Sequence, residues 1–364
     1  MILQVHESAS LPRCEHVLRQ GGLLGLPTET VYGLAADADK PDAVAAIFVA
    51  KGRPADHPLI VHVADLDGGL SGARYFAREI PEFAMRLMQA FWPGPLTLIL
   101  PRREGVAAAA AGDQDSVGLR CPSHPVAQAL LRALRHSVQG AVVWGLAAPS
   151  ANRFGRVSPT TAQHVHSEFN AGRAADDPAA LLILDGGPCE VGIESTIVDC
   201  TRGEPVLLRP GAISQYALAE ACAQAVRLPQ EMPDGQATPR ASGTLAAHYA
   251  PNAKVRLMQI ADLQHALQPG SAQRRAVAAR IGVYMRTRPG ISADGAAQRH
   301  DGLEGPPQLL LRAMPPDAAR AAQHLFATLR ALDDAGAEEI WVEATPESME
   351  WAGVADRLQR ASAA

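Results

Sequence analysis

The side chains that could do chemistry gather where predicted strands and helices end, and the first such place is the segment PTETVYGL at 27–34. It follows a predicted strand at 22–26 and supplies two threonine hydroxyls, among them Thr30, with a carboxylate and a phenol. Ligands of α/β sheets usually bind at strand ends. The segment is therefore a candidate binding site, although a capped turn would use the same residue types.

A second cluster, KGRPADHPLIVH at 51–62, closes a predicted helix and enters a predicted strand. Lys51 and Arg53 are candidates for binding an anion, because the prolines that follow stiffen the loop and hold both cations at one point. The alternative is that they are ordinary C-terminal helix charges favoured by the helix dipole. His57 and His62 flank the start of the strand, and without a third nearby ligand no metal site is predicted for them.

The third cluster comes after another apolar run and contains Ala148, Ser150 and Asn152, followed by Ser158. Ser158 is predicted to cap a helix with Pro159 in its first turn, and a helix N-terminus with free N–H groups is a ready phosphate site. A simple cap explains Ser158 but leaves the pair of Ser150 and Asn152 unexplained.

Two further segments complete the set, GIESTI at 192–197 with Ser195 and LLRPG at 207–211 with Arg209. Arg209 ends an apolar strand, so it is either a salt bridge at the rim or a phosphate clamp. The sequence has no P-loop, no G-x-G-x-x-G fingerprint and no G-x-S-x-G elbow. A nucleotide site would therefore need another architecture.

The elements that position these segments are short apolar runs alternating with helical patterns. Strands are predicted at 22–26, 59–63, 96–100, 116–119, 142–147, 181–184, 196–199 and 206–208. Helices are predicted at 41–50, 79–89, 125–135 and 159–166. The sum is an α/β domain, residues 1–227, with a large, twisted, mixed sheet.

Residues 228–253 are rich in proline and glycine and read as a linker, since the stretch is longer than an ordinary loop. Residues 254–364 form a second, smaller α/β domain in this prediction. Its predicted elements are strands at 255–258, 281–285 and 339–343, a helix at 317–335, a last helix, and a long loop at 287–308.

Composition limits the possible functions. The net charge of −5 argues against a protein that grips nucleic acid through a broad basic face. The five cysteines are an odd, scattered number without a C-x-x-C pair, which predicts a thiol-reduced, zinc-free cytoplasmic protein. We find no secretion signal and no apolar run long enough to cross a membrane, so no membrane association is expected.

Taken together and in this order, the segments resemble the YrdC-like family of threonylcarbamoyl-adenylate synthases. The matching motifs are PTETVYGL at 27–34, KGRP at 51–54, PLIVHV at 58–63, WPGPLT at 92–97, GLRCP at 118–122, APSAN at 148–152, SPT at 158–160, IEST at 193–196 and LLRPG at 207–211. The segment SGTLAAHYAP at 242–251 is similar to the linker of the family's long form, in which a Rossmann-like accessory domain follows.

The resemblance implies an enzyme that joins L-threonine, bicarbonate or CO2, and ATP into threonylcarbamoyl-AMP and pyrophosphate. Partner threonylcarbamoyl-transferase proteins would later modify adenosine in tRNA, and direct tRNA binding by this chain is left open. Such chemistry needs positioning and charge neutralisation more than a strong base. Mg²⁺ is expected with ATP, although no dedicated protein ligand is evident.

The resemblance also implies the site residues. The catalytic residues would be Lys51 and Arg53. Threonine contacts would come from Thr30, His62, Arg120, Ala148 and Ser195, with Arg120 suited to the carboxylate. The nucleotide would be held by Lys51, Arg53, His57, Ser116, Ser150, Asn152, Ser158, Arg209 and Tyr249.

Tyr249 lies in the predicted linker, which leads to the hypothesis that this segment closes over the site as a lid and keeps water from a hydrolysable anhydride. This chain departs from the family at two places. His57 stands where relatives commonly have Asn, and Ser242-Gly243-Thr244 replaces a Pro-Gly-Met-like start of the linker motif.

Two alternatives remain open from the sequence. An RNA-binding module of the same fold is one, and the acidic net charge counts against it. A carbamoyl-transfer domain, as in hydrogenase-maturation proteins, is the other, and this chain lacks the cysteine spacing of the zinc-finger part found there.

Overall fold

The computed structural model describes residues 1–136, 141–174, 177, 179–232, 239–268, 271–277, 280–286 and 308–364. The chain divides into two compact units. The first comprises Met1–Phe154 and Ser158–Thr244, and the second comprises Gly155–Val157 and Leu245–Ala364. The predicted loop at 287–308 lies almost wholly outside the described residues.

The first unit alternates strands and helices. Its strands are β1 (Ile2–Gln4), β2 (Leu24–Leu26), β3 (Gly33–Asp37), β4 (Ile60–Val63), β5 (Leu96–Pro101), β6 (Ser116–Arg120), β7 (Gly145–Ala147), β8 (Leu182–Asp185), β9 (Thr196–Asp199) and β10 (Val206–Arg209). Its helices are α1 (Ser10–Arg19), α2 (Pro41–Lys51), α3 (Leu70–Phe76), α4 (Glu82–Phe91), α5 (Pro125–Arg135), α6 (Ala162–Phe169) and α7 (Gln215–Cys222).

These strands form one 10-stranded sheet in the order β1-β8-β2-β3-β7-β4-β6-β5-β9-β10. Parallel and antiparallel neighbours are mixed: β4 runs parallel to β6, whereas β5 runs antiparallel to β6 and parallel to β9. The predicted fold class, an α/β domain with a large mixed sheet, is confirmed. Strands that are distant in sequence are therefore neighbours at the centre of the sheet.

Side-chain alternation along the central strands separates a core face from a site face. Val61, Val63, Val117 and Leu119 pack into the larger hydrophobic core, with helices α2, α3, α4 and α7. The residues between them point to the opposite face, and they include His62 and Arg120, which are register partners on β4 and β6. A second core under α1 and α5 covers another part of the sheet.

Two helices of the first unit start later than predicted: α4 begins at Glu82 instead of 79, and α6 begins at Ala162 instead of 159. Ser158 does not cap a helix, because α6 begins at Ala162 and Thr161 is its N-cap, with the Thr161 hydroxyl accepting from the N–H of His164. The backbone carbonyl of Pro159 is engaged instead by the N–H of Tyr32 at 2.9 Å. Residues 158–160 therefore run extended beside the segment at 27–34, and the predicted helix at 159–166 starts later than expected.

The second unit has a parallel four-stranded sheet in the order β11-β14-β12-β13. Its strands are β11 (Lys254–Met258), β12 (Arg280–Met285), β13 (Gln308–Ala313) and β14 (Glu339–Glu343). Its helices are α8 (Ile260–Leu267), α9 (Ala272–Arg275), α10 (Ala318–Asp334) and α11 (Ala352–Ser362). A second α/β domain was predicted, and this unit confirms it.

The stretch predicted as a linker, 228–253, is divided between the two units, since residues up to Thr244 belong to the first unit and residues from Leu245 belong to the second. It holds a short 3₁₀ turn at Pro229–Glu231, and residues 233–238 lie outside the described residues. Among the helices of the described part, none has the length and apolar character that a membrane span requires.

Candidate functional site

Two motif segments are joined by backbone hydrogen bonds in the first unit. The N–H of Leu34 donates to the carbonyl of Pro149 at 2.8 Å, and the N–H of Ala151 donates to the carbonyl of Tyr32 at 2.8 Å. Gly33 permits this approach, because a Cβ there would lie 3.1 Å from the Cβ of Ala148. Segments 27–34 and 148–152, distant in sequence, are thereby held as one surface.

Lys51 is the last residue of α2, and its ammonium is buried rather than solvated. Gly52 ends the helix with a left-handed φ of 63°, which turns the chain sharply after Lys51. The Nζ atom donates to the carbonyls of Ser150 and Asn152, each at 2.5 Å. Burial, and then the nearby charge of Arg53, lowers the pKa of Lys51 well below its ordinary value. A bound anion would favour the protonated form and raise this pKa again.

Arg53 and Arg209 reach the same residue from opposite sides. Arg53 Nη2 donates to Ser242 Oγ at 3.1 Å, and Arg209 Nη1 donates to the carbonyl of Ser242 at 2.8 Å. Both arginines are buried, so Arg209 is not a charge at the rim of the sheet. The structure thus brings together two of the cations that the sequence assigned to phosphate, and it places Ser242 between them.

Arg120 is engaged on all three nitrogens of its guanidinium. Nη2 lies 2.6 Å from the Glu29 carboxylate, Nη1 donates to Thr30 Oγ1 at 2.7 Å, and Nε donates to the carbonyl of Gly94 at 3.2 Å. Burial is the largest single effect and disfavours the charged carboxylate of Glu29, but the Arg120 charge, the hydrogen bond from Arg120 and backbone hydrogen bonds together outweigh it and lower the pKa of Glu29. The pair is therefore ionised, and Arg120 has a fixed orientation.

His62 lies beside Arg120 on the same face of the sheet. It is almost fully buried, and its Nδ1 makes no hydrogen bond within the described residues. Burial, followed by the neighbouring Arg120 charge, lowers the pKa of His62 to about 3. The imidazole is consequently neutral at physiological pH and can accept or donate a hydrogen bond to a substrate.

Ser195 binds Arg209 and Thr97. Its hydroxyl pairs with Thr97 Oγ1 at 2.7 Å and accepts from Arg209 Nη2 at 3.2 Å, and its carbonyl accepts from Arg209 Nε at 3.0 Å. Ser116 starts β6 at the other side and lines a small pocket together with Thr97 and Ser242. The pocket therefore combines these hydroxyl groups with apolar side chains such as Ile60, Ile99 and Ile197.

Ser158 and Asn152 complete the end near Lys51. Ser158 is fully buried, and its hydroxyl donates to the Glu194 carboxylate at 2.5 Å. The Asn152 side chain donates to the carbonyl of Arg153 at 2.7 Å. Glu194 also lies near enough to Lys51 to oppose the lowering of its pKa.

His57 is half-buried at the edge of this region. Its ring packs edge-on against Phe154 with centroids 5.5 Å apart, and the Arg53 guanidinium lies 5.9 Å from the same Phe154 ring. Burial, and then the Arg53 charge, lowers the pKa of His57. A neutral imidazole there keeps one hydrogen-bond donor.

Tyr249 belongs to the second unit, unlike the other predicted site residues. It is almost fully buried and has a left-handed φ of 64°. Its ring lies 5.4 Å from that of Phe326, and the Arg357 guanidinium lies 5.5 Å from it. The structure therefore gives Tyr249 a packing role in its own unit, and its contact with a nucleotide stays a prediction.

Sequence reasoning did not assign roles to Glu29, Thr97, Glu194 and Ser242. Glu29 and Glu194 stand inside the motifs PTETVYGL and GIESTI. A carboxylate within each motif was therefore the signal that the sequence offered. Thr97 and Ser242 carried no such signal, because both act through partners far away in sequence. Among the described residues, no group of three or more His, Cys, Asp or Glu is placed to hold a metal ion.

Comparisons with known proteins agree with this arrangement. A family described as "Telomere recombination" matches residues 16–211, and one described as "Threonylcarbamoyl-AMP synthase, C-terminal domain" matches residues 213–363. The Pyrococcus abyssi protein named threonylcarbamoyl-AMP synthase is 34% identical over 95% of this chain and 92% of its own length. The Bacillus subtilis protein of that name is 39% identical over 73% of this chain and 70% of its own length.

A solved structure is similar to this chain over nearly its whole length. The crystal structure of P. abyssi Sua5 complexed with L-threonine superposes with a TM-score of 0.79 at 32% identity, covering 100% of this chain and 97% of that one. The agreement extends over both units as well as the sequence motifs, so it is not limited to the sheet that carries the site.

Proposed function

Because this chain belongs to the threonylcarbamoyl-AMP synthase family, we propose that it joins L-threonine, bicarbonate or CO2, and ATP into threonylcarbamoyl-AMP and pyrophosphate. It is then a nucleotidyltransferase that makes the activated intermediate for threonylcarbamoyladenosine in tRNA. The observation that carries the proposal is the pairing of two cationic regions on one sheet face. One holds Arg120, and the other holds Arg53 and Arg209.

The spacing of the two regions suits an amino acid joined to a nucleotide. Ser116 begins β6 and Arg120 ends it, so about 13 Å separates their Cα atoms at the usual rise of an extended strand. Ser195 contacts both Thr97 and Arg209 at the second region. A threonine carboxylate bound at one end leaves its amino group directed along the strand towards the nucleotide.

The threonine end combines the buried ion pair of Arg120 and Glu29 with neutral hydrogen-bonding groups. Arg120 supplies charge for the carboxylate, and the Thr30 hydroxyl and the neutral His62 imidazole suit the amine and hydroxyl of the substrate. Ala148, whose N–H donates to the carbonyl of Ile60 at 3.0 Å, forms a wall beside them. This assignment of threonine contacts is part of the proposal.

The chemistry needs little from a base. The amine of threonine adds to CO2 and loses a proton, which forms a carbamate with a new C–N bond. A carbamate oxygen then attacks the α-phosphorus of ATP, and the bond to the β-phosphate breaks with release of pyrophosphate. The protein's task is to orient the two reactants and to stabilise the charge on the phosphate oxygens.

The negative charge on the phosphate oxygens would be stabilised by three cationic side chains, those of Lys51, Arg53 and Arg209. Each is buried, so its interaction with a phosphate is little weakened by solvent. Ser150, Asn152 and Ser158 add short polar groups around Lys51, and Ser116 and His57 lie towards the other side. Tyr249 remains the proposed contact from the second unit.

We propose that ATP binds as its Mg²⁺ complex, in which the metal ion would neutralise part of the phosphate charge. Oxygen ligands are required, and phosphate oxygens of ATP would supply most of them, because Mg²⁺ commonly keeps few protein ligands. Glu194 with its partner Ser158 offers carboxylate and hydroxyl oxygens at this end of the site.

Two alternatives receive less support. An RNA-binding module would present exposed basic residues, whereas the key arginines here are buried. A carbamoyl-transfer role would not explain the likeness of residues 213–363 to the synthase C-terminal domain. We further propose a cytoplasmic location, supported by the free, buried state of all five cysteines, with transfer to tRNA left to separate transferase proteins.

The test is pyrophosphate release from ATP by the purified protein with Mg²⁺. The proposal predicts release that requires both L-threonine and bicarbonate, and that is lost in Arg209→Ala. Glu104→Ala, which changes an exposed residue outside the site, serves as the control. Release that is independent of threonine would contradict the proposal.

A further inference from the structure

Ser242 binds the two arginines, Arg53 and Arg209, that are proposed to bind phosphate. Its hydroxyl accepts from Arg53 Nη2 at 3.1 Å and its carbonyl accepts from Arg209 Nη1 at 2.8 Å. Ser242 is buried, and the two arginines come from the loop after α2 and from the end of β10. One serine therefore accepts hydrogen bonds from two guanidinium groups that the proposed reaction needs for phosphate. Arg53 Nη2 also donates to the carbonyl of Pro58 at 2.9 Å, and Arg209 also donates to Ser195.

The segment around Ser242, residues 239–244, is a strap fastened to the first unit outside the cationic site. The Arg240 guanidinium pairs with Asp56 at 2.8 Å, and the carbonyl and N–H of Arg240 bond the Gln114 side chain at 3.3 and 2.9 Å. The pair of Arg240 and Asp56 is largely exposed, so it contributes little stability by itself. Arg240 Nη2 also donates to the carbonyl of Gly112 at 3.2 Å, so the strap is fixed by the outer contacts of Arg240 and by the inner contacts of Ser242.

The strap lies beside Ser116, at the part of the site that is proposed to bind ATP. Ala241 and Ser242 line a pocket whose opposite wall is formed by Ser116, Gly118 and Thr97. Ser116 is one of the residues proposed to hold ATP, so ATP would enter the space that the strap now closes. A nucleotide and Ser242 cannot occupy the same guanidinium positions.

We propose that Ser242 is a further residue of the nucleotide site, a stand-in for a phosphate oxygen that competes with ATP for Arg53 and Arg209. The inference rests on the proposed function. Phosphate oxygens carry negative charge, whereas the hydroxyl and carbonyl of Ser242 are neutral acceptors, so a phosphate adds Coulomb attraction and bidentate geometry to its hydrogen bonds with arginine. ATP therefore displaces the strap, and part of its binding free energy is used to do so.

The competition between Ser242 and ATP can be tested by measuring the affinity of the protein for ATP, and this measurement does not require catalysis. Ser242→Ala removes the hydroxyl that holds Arg53, and we expect the Kd of ATP from calorimetry to fall about three- to tenfold. Arg240→Ala loosens the strap from its outer anchor and should lower the Kd in the same direction by a smaller factor. Thr244→Ala is the matched control, because its hydroxyl bonds the carbonyl of Ala241 and neither arginine.

A second measurement uses the unchanged protein, so it does not depend on the folding of any variant. Hydrogen exchange of the backbone amides at 239–244 should become faster when a non-hydrolysable ATP analogue is bound, since the strap leaves its contacts. Protection that is unchanged or increased in the complex would overturn the competition, and so would weaker ATP binding by Ser242→Ala.

The two proposals fail differently. If the wild-type protein binds ATP and Ser242→Ala binds it with the same Kd as Thr244→Ala, the competition is refuted and the synthase proposal stands. If the folded wild-type protein binds no ATP, the proposed function fails and this inference fails with it.

Discussion

Glu29 and Arg120 form an ion pair at 2.6 Å in which each side chain is 4% exposed to solvent. Glu29 comes from the segment after β2, and Arg120 ends β6. The pair fixes the guanidinium that is proposed to receive the carboxylate of threonine. A buried ion pair of this kind contributes orientation more than stability, but losing one partner leaves an uncompensated charge.

The first prediction concerns Glu29→Gln, which keeps the shape of the side chain and removes its charge. Arg120 is then buried without its counter-ion, so we expect the free energy of unfolding to fall by about 3–5 kcal/mol. The KM for threonine should rise several-fold because the guanidinium loses its fixed orientation, while the KM for ATP changes little. Denaturant unfolding and steady-state kinetics measure both effects.

The matched control for Glu29→Gln is Glu104→Gln, which removes the same charge from an exposed position. It should leave the unfolding free energy and both KM values unchanged. Equal effects from the two variants would show that net charge, and not the pair with Arg120, is responsible.

The second prediction is a pH dependence caused by His62. Its pKa is about 3 in the folded protein and 6.5 ordinarily, so below 6.5 the unfolded chain takes up a proton that the folded chain does not. The free energy of unfolding therefore decreases as pH falls from 6.5 towards 3, by up to about 1.4 kcal/mol per pH unit. Denaturant unfolding of His62→Gln should show a flatter dependence than the wild type.

His166→Gln is the comparison for His62, because His166 lies exposed on α6. This variant should keep the wild-type slope of unfolding free energy against pH. A His62→Gln protein with an unchanged slope would rule out burial of a neutral imidazole as the cause.

The third prediction concerns Lys51→Met, which retains an unbranched apolar stem and removes the ammonium. The carbonyls of Ser150 and Asn152 lose their shared donor, so we expect a loss of about 1–3 kcal/mol in the free energy of unfolding. Pyrophosphate release should be abolished, because the phosphate charge loses a buried cation. Lys254→Met, at an exposed position, should alter neither quantity, and a Lys51→Met protein with normal turnover would exclude Lys51 from catalysis.

The fourth prediction separates packing from nucleotide contact at Tyr249. Tyr249→Ala removes a buried ring beside Phe326 and should lower the free energy of unfolding by about 3–5 kcal/mol. Tyr249→Phe keeps the ring, so its stability should stay near the wild-type value. If the hydroxyl contacts ATP as proposed, calorimetry on Tyr249→Phe will show weaker ATP binding; an unchanged Kd would remove Tyr249 from the nucleotide site.

Much of the sheet was predictable from apolar runs, and the strand at 196–199 was predicted at its observed bounds. β3 (Gly33–Asp37) was missed for a physical reason. Its residues, Gly-Leu-Ala-Ala-Asp, have low strand propensity, and it forms because β2 and β7 pair with it on both sides. Such a strand depends on tertiary contacts that a local pattern does not contain.

The site was predictable where a motif carried its own chemistry, and less so where a partner was required. Lys51, Arg53 and Arg209 stood out as cations beside strand and helix ends. Ser242 did not, because its importance arises from contact with Arg53 across 189 positions of sequence. The helix cap assigned to Ser158 was wrong for the same reason, since Glu194 and not a helix end engages its hydroxyl.

The central claim is the formation of threonylcarbamoyl-AMP, and mass spectrometry of the reaction product tests it most directly. The wild-type protein is incubated with ATP, Mg²⁺, L-threonine and isotope-labelled bicarbonate. We predict an adduct of AMP with threonine that carries the bicarbonate label, formed together with pyrophosphate. A folded protein that releases pyrophosphate or AMP without a labelled adduct would contradict the account.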